Sequence, residues 1–205
     1  MNTSYRIGIA GYMGAGKSAC ARFLADAFAP DAEIIDADAE AKHLMQSDQA
    51  IIRVLADAFG VSIHNGNALD FAALGAAAFG SAHKLQLLNS IVHTKVIAYI
   101  EQRLASSDKK YCLCDAALIP LWNIENRFDM LLWISSRHSI RFTRLIAQGR
   151  LPEASLRKRM ELQESIMKEP AELQWRSITN NGTYTSLAAD ELNPLIGEIK
   201  AALLK

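Results

Sequence analysis

Three observations predict an α/β fold built on a mostly parallel sheet. Short apolar segments alternate with longer stretches of helical periodicity. Several of those segments are unbroken runs, as in strands covered on both faces. The first of them leads straight into a glycine-rich loop and then a helix.

Arg6 to Ala10 reads RIGIA and ends at Gly11, and a helical pattern follows from Ser18 to about Phe28, stopped by Pro30. Glu33 to Asp36 is a second short strand candidate. Ala39 to Met45 and Gln49 to Phe59 read as helices, the latter closed by Gly60. His64-Asn65-Gly66-Asn67 is a turn. Asp70 to Phe79 and His83 to Leu104 are helical. Tyr111 to Cys114 and Phe128 to Ile134 are buried strands. Ser136 to Gln148 and Glu153 to about Lys168 are helices, split by Gly149 and Pro152. Arg176 to Asn180 is the fifth strand candidate, and Leu192 to Leu204 is a final helix. There are no repeats and no linker-like stretches, so 205 residues suit one domain, 1–205, with room for an inserted subdomain.

Lysine plus arginine number 22 and aspartate plus glutamate 22, so the formal charge is zero. That argues against a chain-wide grip on nucleic acid or an anionic membrane. No run approaches the roughly 18 to 20 apolar residues that cross a bilayer. The N-terminus lacks the apolar length and cleavage site of a signal peptide. Cys20, Cys112 and Cys114 are an odd number without metal-like spacing, consistent with small buried side chains in a reducing cytoplasm.

Gly11-Tyr12-Met13-Gly14-Ala15-Gly16-Lys17-Ser18 fits GxxxxGK[ST] at every fixed position. Glycines allow backbone angles that bring successive N–H groups against a phosphate. The helix N-terminus behind them adds positive potential. Lys17 is expected to reach the terminal phosphates and the Ser18 hydroxyl to ligate Mg²⁺. The loop does not say which phosphate ester is bound, since ATPases, GTPases and small-molecule kinases share it.

Asp36 and Asp38 lie at the carboxyl end of the second strand, where ligands gather in open α/β sheets. In extended structure the two acids would share a side and face the loop. They suit a proton acceptor and metal partners for a kinase. Helix capping by Asp38 is the equal alternative. Asp115, after an apolar strand, is the other candidate for the metal shell. Asp115 and Ser18 form the expected metal site.

From Arg137 to Arg159 there are seven basic residues and one acid, a local charge of +6. Arg137, Arg141 and Arg144 recur at i, i+4 and i+7. With a flexible break at Gln148–Pro152, this suits a lid over about 137–165 that clamps transferring phosphates. A solvated basic face or an RNA-binding patch is the alternative.

The chain resembles the dephospho-coenzyme A kinase family over nearly its full length. The resemblance rests on IGIAGYMGAGKS, IIDADAEAKHLM, the FG…GNALD…G stretch, LLNSIVHTKV, CDAALI, RFTRLIAQGRLPEASLRKRMELQ and ITNNGTYTSL. It implies a P-loop kinase fold with a five-stranded sheet, a helical CoA-side segment at about 60–100, and a lid. It implies transfer of the ATP γ-phosphoryl group to the ribose 3′-hydroxyl of dephospho-CoA with Mg²⁺. The chain is expected to be a cytoplasmic monomer with a small-molecule substrate and neither nucleic acid nor membrane as partner. By the family resemblance Lys17, Asp38 and Arg144 are catalytic. Gly11, Met13, Gly14, Ala15, Gly16, Lys17, Ser18, Ala19, Asn181 and Gly182 hold the nucleotide, with Asn180 in the same turn. Asp38, His93, Asp115 and Leu118 meet the acceptor. The chain departs from the family pattern at Ala10, Phe71, Thr94, Ala117 and Gln148; at the last, a second lid arginine is usual. Two further readings stay open: a kinase for another small alcohol or a nucleoside monophosphate, and a nucleotide-binding homologue that has lost catalysis.

Overall fold

The computed structural model describes residues 4–64, 68–167, 175–183 and 187–202. The chain forms two compact units, Met1–Ile35 with Arg103–Lys205, and Asp36–Gln102.

The first unit carries a parallel five-stranded sheet, flanked by helices as the apolar runs predict. Its strands are β1 (Tyr5–Ala10), β2 (Ala32–Asp36), β5 (Tyr111–Asp115), β6 (Met130–Ser135) and β7 (Arg176–Thr179), in the order β2-β5-β1-β6-β7. Central β1 pairs Ile9 with Asp115 of β5 on one side and with Leu132 of β6 on the other. That register sets the acid at the end of β5 level with the exit of β1 into the glycine-rich loop. Ile7, Ile9, Leu113, Leu132, Ile134 and Ile178 are fully buried. Helix α1 (Lys17–Phe28) lays Cys20, Ala21, Leu24 and Phe28 into the same core, the spacing of one helical face. Phe28 stacks on Tyr111 with ring centroids 4.1 Å apart.

The three cysteines are buried thiols that form no disulfide. Burial, helped by the charge of Asp115, pushes the Cys20 thiol up to about 12, so it acts as a small hydrophobe.

Between β5 and β6 the chain makes helix α6 (Ile119–Trp122) and a 3₁₀ turn at Glu125–Arg127, neither evident from periodicity. Helices α7 (His138–Ala147) and α8 (Glu153–Ile166) follow, broken at Gly149 and Pro152 as expected. A π turn at Ala188–Leu192 leads into the final helix α9 (Asn193–Ala202). Leu192, expected as the first residue of that helix, closes the π turn instead.

The second unit is mostly helical. It comprises α2 (Ala37–Ser47), α3 (Gln49–Phe59), α4 (Phe71–Ala78) and most of the 25-residue α5 (Ala82–Ser106). The short strands β3 (Ile63–His64) and β4 (Ala68–Leu69) pair antiparallel. The turn expected between them lies, apart from His64, outside the described residues. Aspartates start three of the helices. Asp36 accepts from the Ala39 amide, Asp48 from Ala50 and Ile51, and Asp70 from Ala73. Gly60 closes α3 in the left-handed region, as the sequence predicts. No helix among the described residues is long and apolar enough to cross a membrane.

Candidate functional site

The loop between β1 and α1 is bent where glycine is required. At Gly11 φ is 146°, and a Cβ there would lie 2.3 Å from the Ile134 carbonyl oxygen. At Gly16 φ is 100°, and a Cβ would lie 2.3 Å from Asn180 Nδ2. These two close approaches press the loop onto β6 and onto the turn after β7. Lys17, the first residue of α1, is buried despite its charge. The Ser18 hydroxyl, one residue on, donates to Asp115 Oδ2 at 2.5 Å. Asp115 is only 5% exposed. A hydroxyl and a carboxylate side by side at a phosphate loop are hard oxygen donors. They fit a magnesium ion that keeps most of its waters and takes few protein ligands. Among the described residues no cluster of three or more acids, histidines or cysteines offers an all-protein metal cage.

Asn180 ties the loop from behind. It is buried, and its Nδ2 donates to the Ala15 carbonyl at 2.7 Å. Its Oδ1 accepts from Arg144 Nη2 at 3.0 Å. The same guanidinium donates to the carbonyls of Gly14, Ala15 and Gly182. Partial burial lowers the pKa of Arg144 through desolvation. The neighbouring Asn181 accepts from the Arg137 amide at 2.8 Å, fixing the turn after β7 to the start of α7. A cavity of about 260 Å³ opens here, lined by Gly16, Ala19, Arg144, Asn180, Gly182 and Leu187.

The far end of the loop is held by α8. Gln163 Oε1 accepts from the Met13 amide at 2.8 Å, and the Tyr12 hydroxyl donates to the Met167 carbonyl at 2.8 Å. Arg141 does not join a cationic face. It is 4% exposed, pairs with Glu164, donates to the Ser136 carbonyl, and lies 4.9 Å over the Tyr12 ring. The i, i+4, i+7 spacing of Arg137, Arg141 and Arg144 therefore splits. Arg137 precedes the helix, Arg141 faces inward, and Arg144 serves the loop.

The family model for dephospho-CoA kinase matches residues 5–185. The chain belongs to the dephospho-CoA kinase family. A dephospho-CoA kinase of Corynebacterium efficiens is 32% identical over 201 residues, covering 95% of this chain and 96% of that one. Among solved structures, TT1252 from Thermus thermophilus matches with a TM-score of 0.68 at 23% identity, covering 95% of this chain and 97% of that one. A dephospho-CoA kinase from Campylobacter jejuni matches with a TM-score of 0.59 at 17% identity, covering 96% and 98%. These two likenesses establish the fold.

For this member of the dephospho-CoA kinase family, one expectation about the acids needs correcting. Asp36 and Asp38 do not share the side of a strand. The chain turns helical at Ala37, because the Asp36 carboxylate takes the Ala39 amide and starts α2 two residues earlier than expected. Asp38 is not the cap. It is an exposed acid in the first turn, where the helix dipole favours a negative charge. His93 lies half-buried on α5, and burial pushes its imidazole down to about 4. Asp38 and His93 belong to the second unit, whereas Lys17, Ser18, Asp115, Leu118, Arg144, Asn181 and Gly182 belong to the first. Leu118 sits at the N-cap of α6, half-buried, three residues after Asp115.

The sequence reading missed Gln163, Glu164 and Leu187. Glu164 had a signal: it follows a strongly basic segment and offers a partner for one of its arginines. Gln163 and Leu187 had none short of the fold, since each meets the loop region from more than 140 residues away.

Proposed function

We propose that the chain transfers the terminal phosphoryl group of ATP to the ribose 3′-hydroxyl of dephospho-CoA, in the presence of Mg²⁺. The observation that carries this is the Ser18–Asp115 pair beside buried Lys17, at the mouth of a glycine-bent loop with a base-sized cavity behind it. Family membership supplies the acceptor.

The adenine occupies the cavity lined by Gly16, Ala19, Asn180 and Gly182, with the planar guanidinium of Arg144 as one wall. Its phosphates run along the loop amides, and Lys17 neutralises their outer charge. Ser18 and Asp115 hold the magnesium ion, which supplies charge neutralisation on the phosphate oxygens. Asp38 accepts the hydroxyl proton as the acceptor oxygen bonds to the terminal phosphorus and the bond to the β-phosphate oxygen breaks. His93 contributes to the acceptor side as a neutral ring, and Leu118 as an apolar contact. Hydrogen bonds from Arg144 to loop carbonyls support a first role in seating the nucleotide. Its charge close to the loop also serves the transition state. The α7–α8 hairpin is the lid. The protein works as a cytoplasmic monomer.

The test is ADP release with dephospho-CoA against a panel of nucleoside monophosphates and small alcohols, followed by mapping the new phosphate. The expected result is turnover with dephospho-CoA and a 3′-phosphate in the product. Turnover with another acceptor only, or tight ATP binding without transfer, would replace this reading. Replacing Asp38 by Asn is expected to lower kcat by about 10²- to 10⁴-fold with the fold intact, as read by kinetics and circular dichroism. Near-normal kcat would remove Asp38 from proton transfer.

A further inference from the structure

Two side-chain contacts join the end of α8 to the outer end of the phosphate loop. The Met13 amide donates to Gln163 Oε1 at 2.8 Å. The preceding residue, Tyr12, donates from its hydroxyl to the Met167 carbonyl at 2.8 Å. A backbone N–H can only donate, so the Gln163 carboxamide presents its oxygen to the loop. Here that oxygen, a neutral acceptor, engages one amide of the glycine-rich loop.

The position of that amide decides which phosphate competes for it. The base cavity is lined by Gly16 and Ala19, at the helix end of the loop, and by Arg144, Asn180 and Gly182. From there the loop runs back through Ala15 and Gly14 to Met13. A phosphate chain leaving the cavity meets the amides near Gly16–Ser18 first and Met13 last. On that order a diphosphate is expected to end before the Met13 amide and a triphosphate to extend to it. An anionic phosphoryl oxygen makes a charge-assisted bond about twice as strong as the carboxamide does, so it displaces Gln163.

We propose that Gln163 is a positioning residue that reports the terminal phosphate of the bound nucleotide to α8. It holds the Met13 amide in the empty and diphosphate-bound states and yields it to a triphosphate. This rests on the nucleotide-binding reading above, and on the base lying in the cavity beside Arg144. Because α8 carries Glu164 next in sequence, paired with the buried Arg141 of α7, the exchange bears on the whole hairpin. Triphosphate is thereby distinguished from diphosphate product.

The test compares ATP and ADP affinities, each with magnesium, by titration calorimetry on the full chain and on two variants. Gln163→Glu keeps an acceptor for Met13 but sets a negative charge where the terminal phosphate arrives. It is expected to weaken ATP about tenfold or more and to change ADP less than twofold. Gln163→Ala removes the competitor and is expected to tighten ATP by about threefold to tenfold, the size of one hydrogen bond, again with ADP unchanged. Equal shifts for both nucleotides, or none for either, would overturn the proposal and leave the kinase reading standing. A parent protein that binds neither nucleotide would overturn both. The fold of each variant is read separately, by circular dichroism and ligand-free Tm, so an equal shift of both nucleotides in a folded variant counts against the proposal.

Discussion

Gly16 shows how much one missing methyl group permits. Its φ of 100° is costly for any L side chain, and a Cβ would sit 2.3 Å from Asn180 Nδ2. In Gly16→Ala the Asn180 side chain has to retreat, and the Ala15 carbonyl loses its buried donor. The expected cost is about 2 to 4 kcal/mol, the sum of left-handed strain and an unmade buried hydrogen bond. Urea unfolding of the variant checks it. His93 offers a second prediction at the same scale. Its folded pKa of about 4 lies below the ordinary value of 6.5, so the unfolded chain takes up the proton first as pH falls. The stability tied to His93 is complete above about pH 6.5 and is lost progressively between 6.5 and 4. In His93→Gln that part of the pH dependence is expected to vanish, so urea midpoints at about pH 7 and 4.5 should differ less than in the parent. An unchanged slope would assign the loss to carboxylates instead.

Helices α7 and α8 are pinned to each other by Glu164, which meets the buried guanidinium of Arg141 and, at 3.3 Å, His138 Nδ1. Breaking a fully buried pair costs about 3 to 5 kcal/mol. Glu164 is 31% exposed, so water offsets part of that. Glu164→Ala is therefore expected to cost about 2 kcal/mol in urea unfolding. In an Arg141→Met/Glu164→Ala double variant most of the loss should return, because no unpaired buried charge remains. The same hairpin marks the limit of what periodicity tells. Two helices with a break at Gly149 and Pro152 were legible, since start and stop signals are local. The use of each arginine was not. Spacing says which residues share a side of a helix, but not whether that side meets water, a carboxylate 23 residues on, or the carbonyls of a loop 130 residues back.

Across the whole molecule the phosphate loop was readable because its chemistry is written in eight consecutive residues, each with a local reason. The parallel sheet was readable because buried strands are apolar throughout. The acids after β2 misled: a strand pattern was carried two residues too far, while the Asp36 carboxylate had a nearer use in capping α2. The loop's supports, Asn180 and Gln163, come from 165 and 150 residues away and only the fold assembles them. Zero net charge likewise hid a +6 segment whose positive groups are divided between a buried ion pair, the loop and solvent. This division bears on how a nucleotide should stabilise the protein. Binding to the folded state alone adds about 2.7 kcal/mol at a hundredfold excess over Kd. For a chain of this length that is a rise in Tm of roughly 5 to 10 °C. Lys17 is buried, and an ammonium held out of water carries a desolvation cost, so Lys17→Ala should leave the ligand-free Tm within about 2 °C of the parent. Its affinity for the phosphates should collapse, and with it the rise on adding ATP. A variant that still shows the full rise would mean that the nucleotide is gripped elsewhere, and a variant that melts much lower without ligand would mean that Lys17 holds the fold as well as the phosphates.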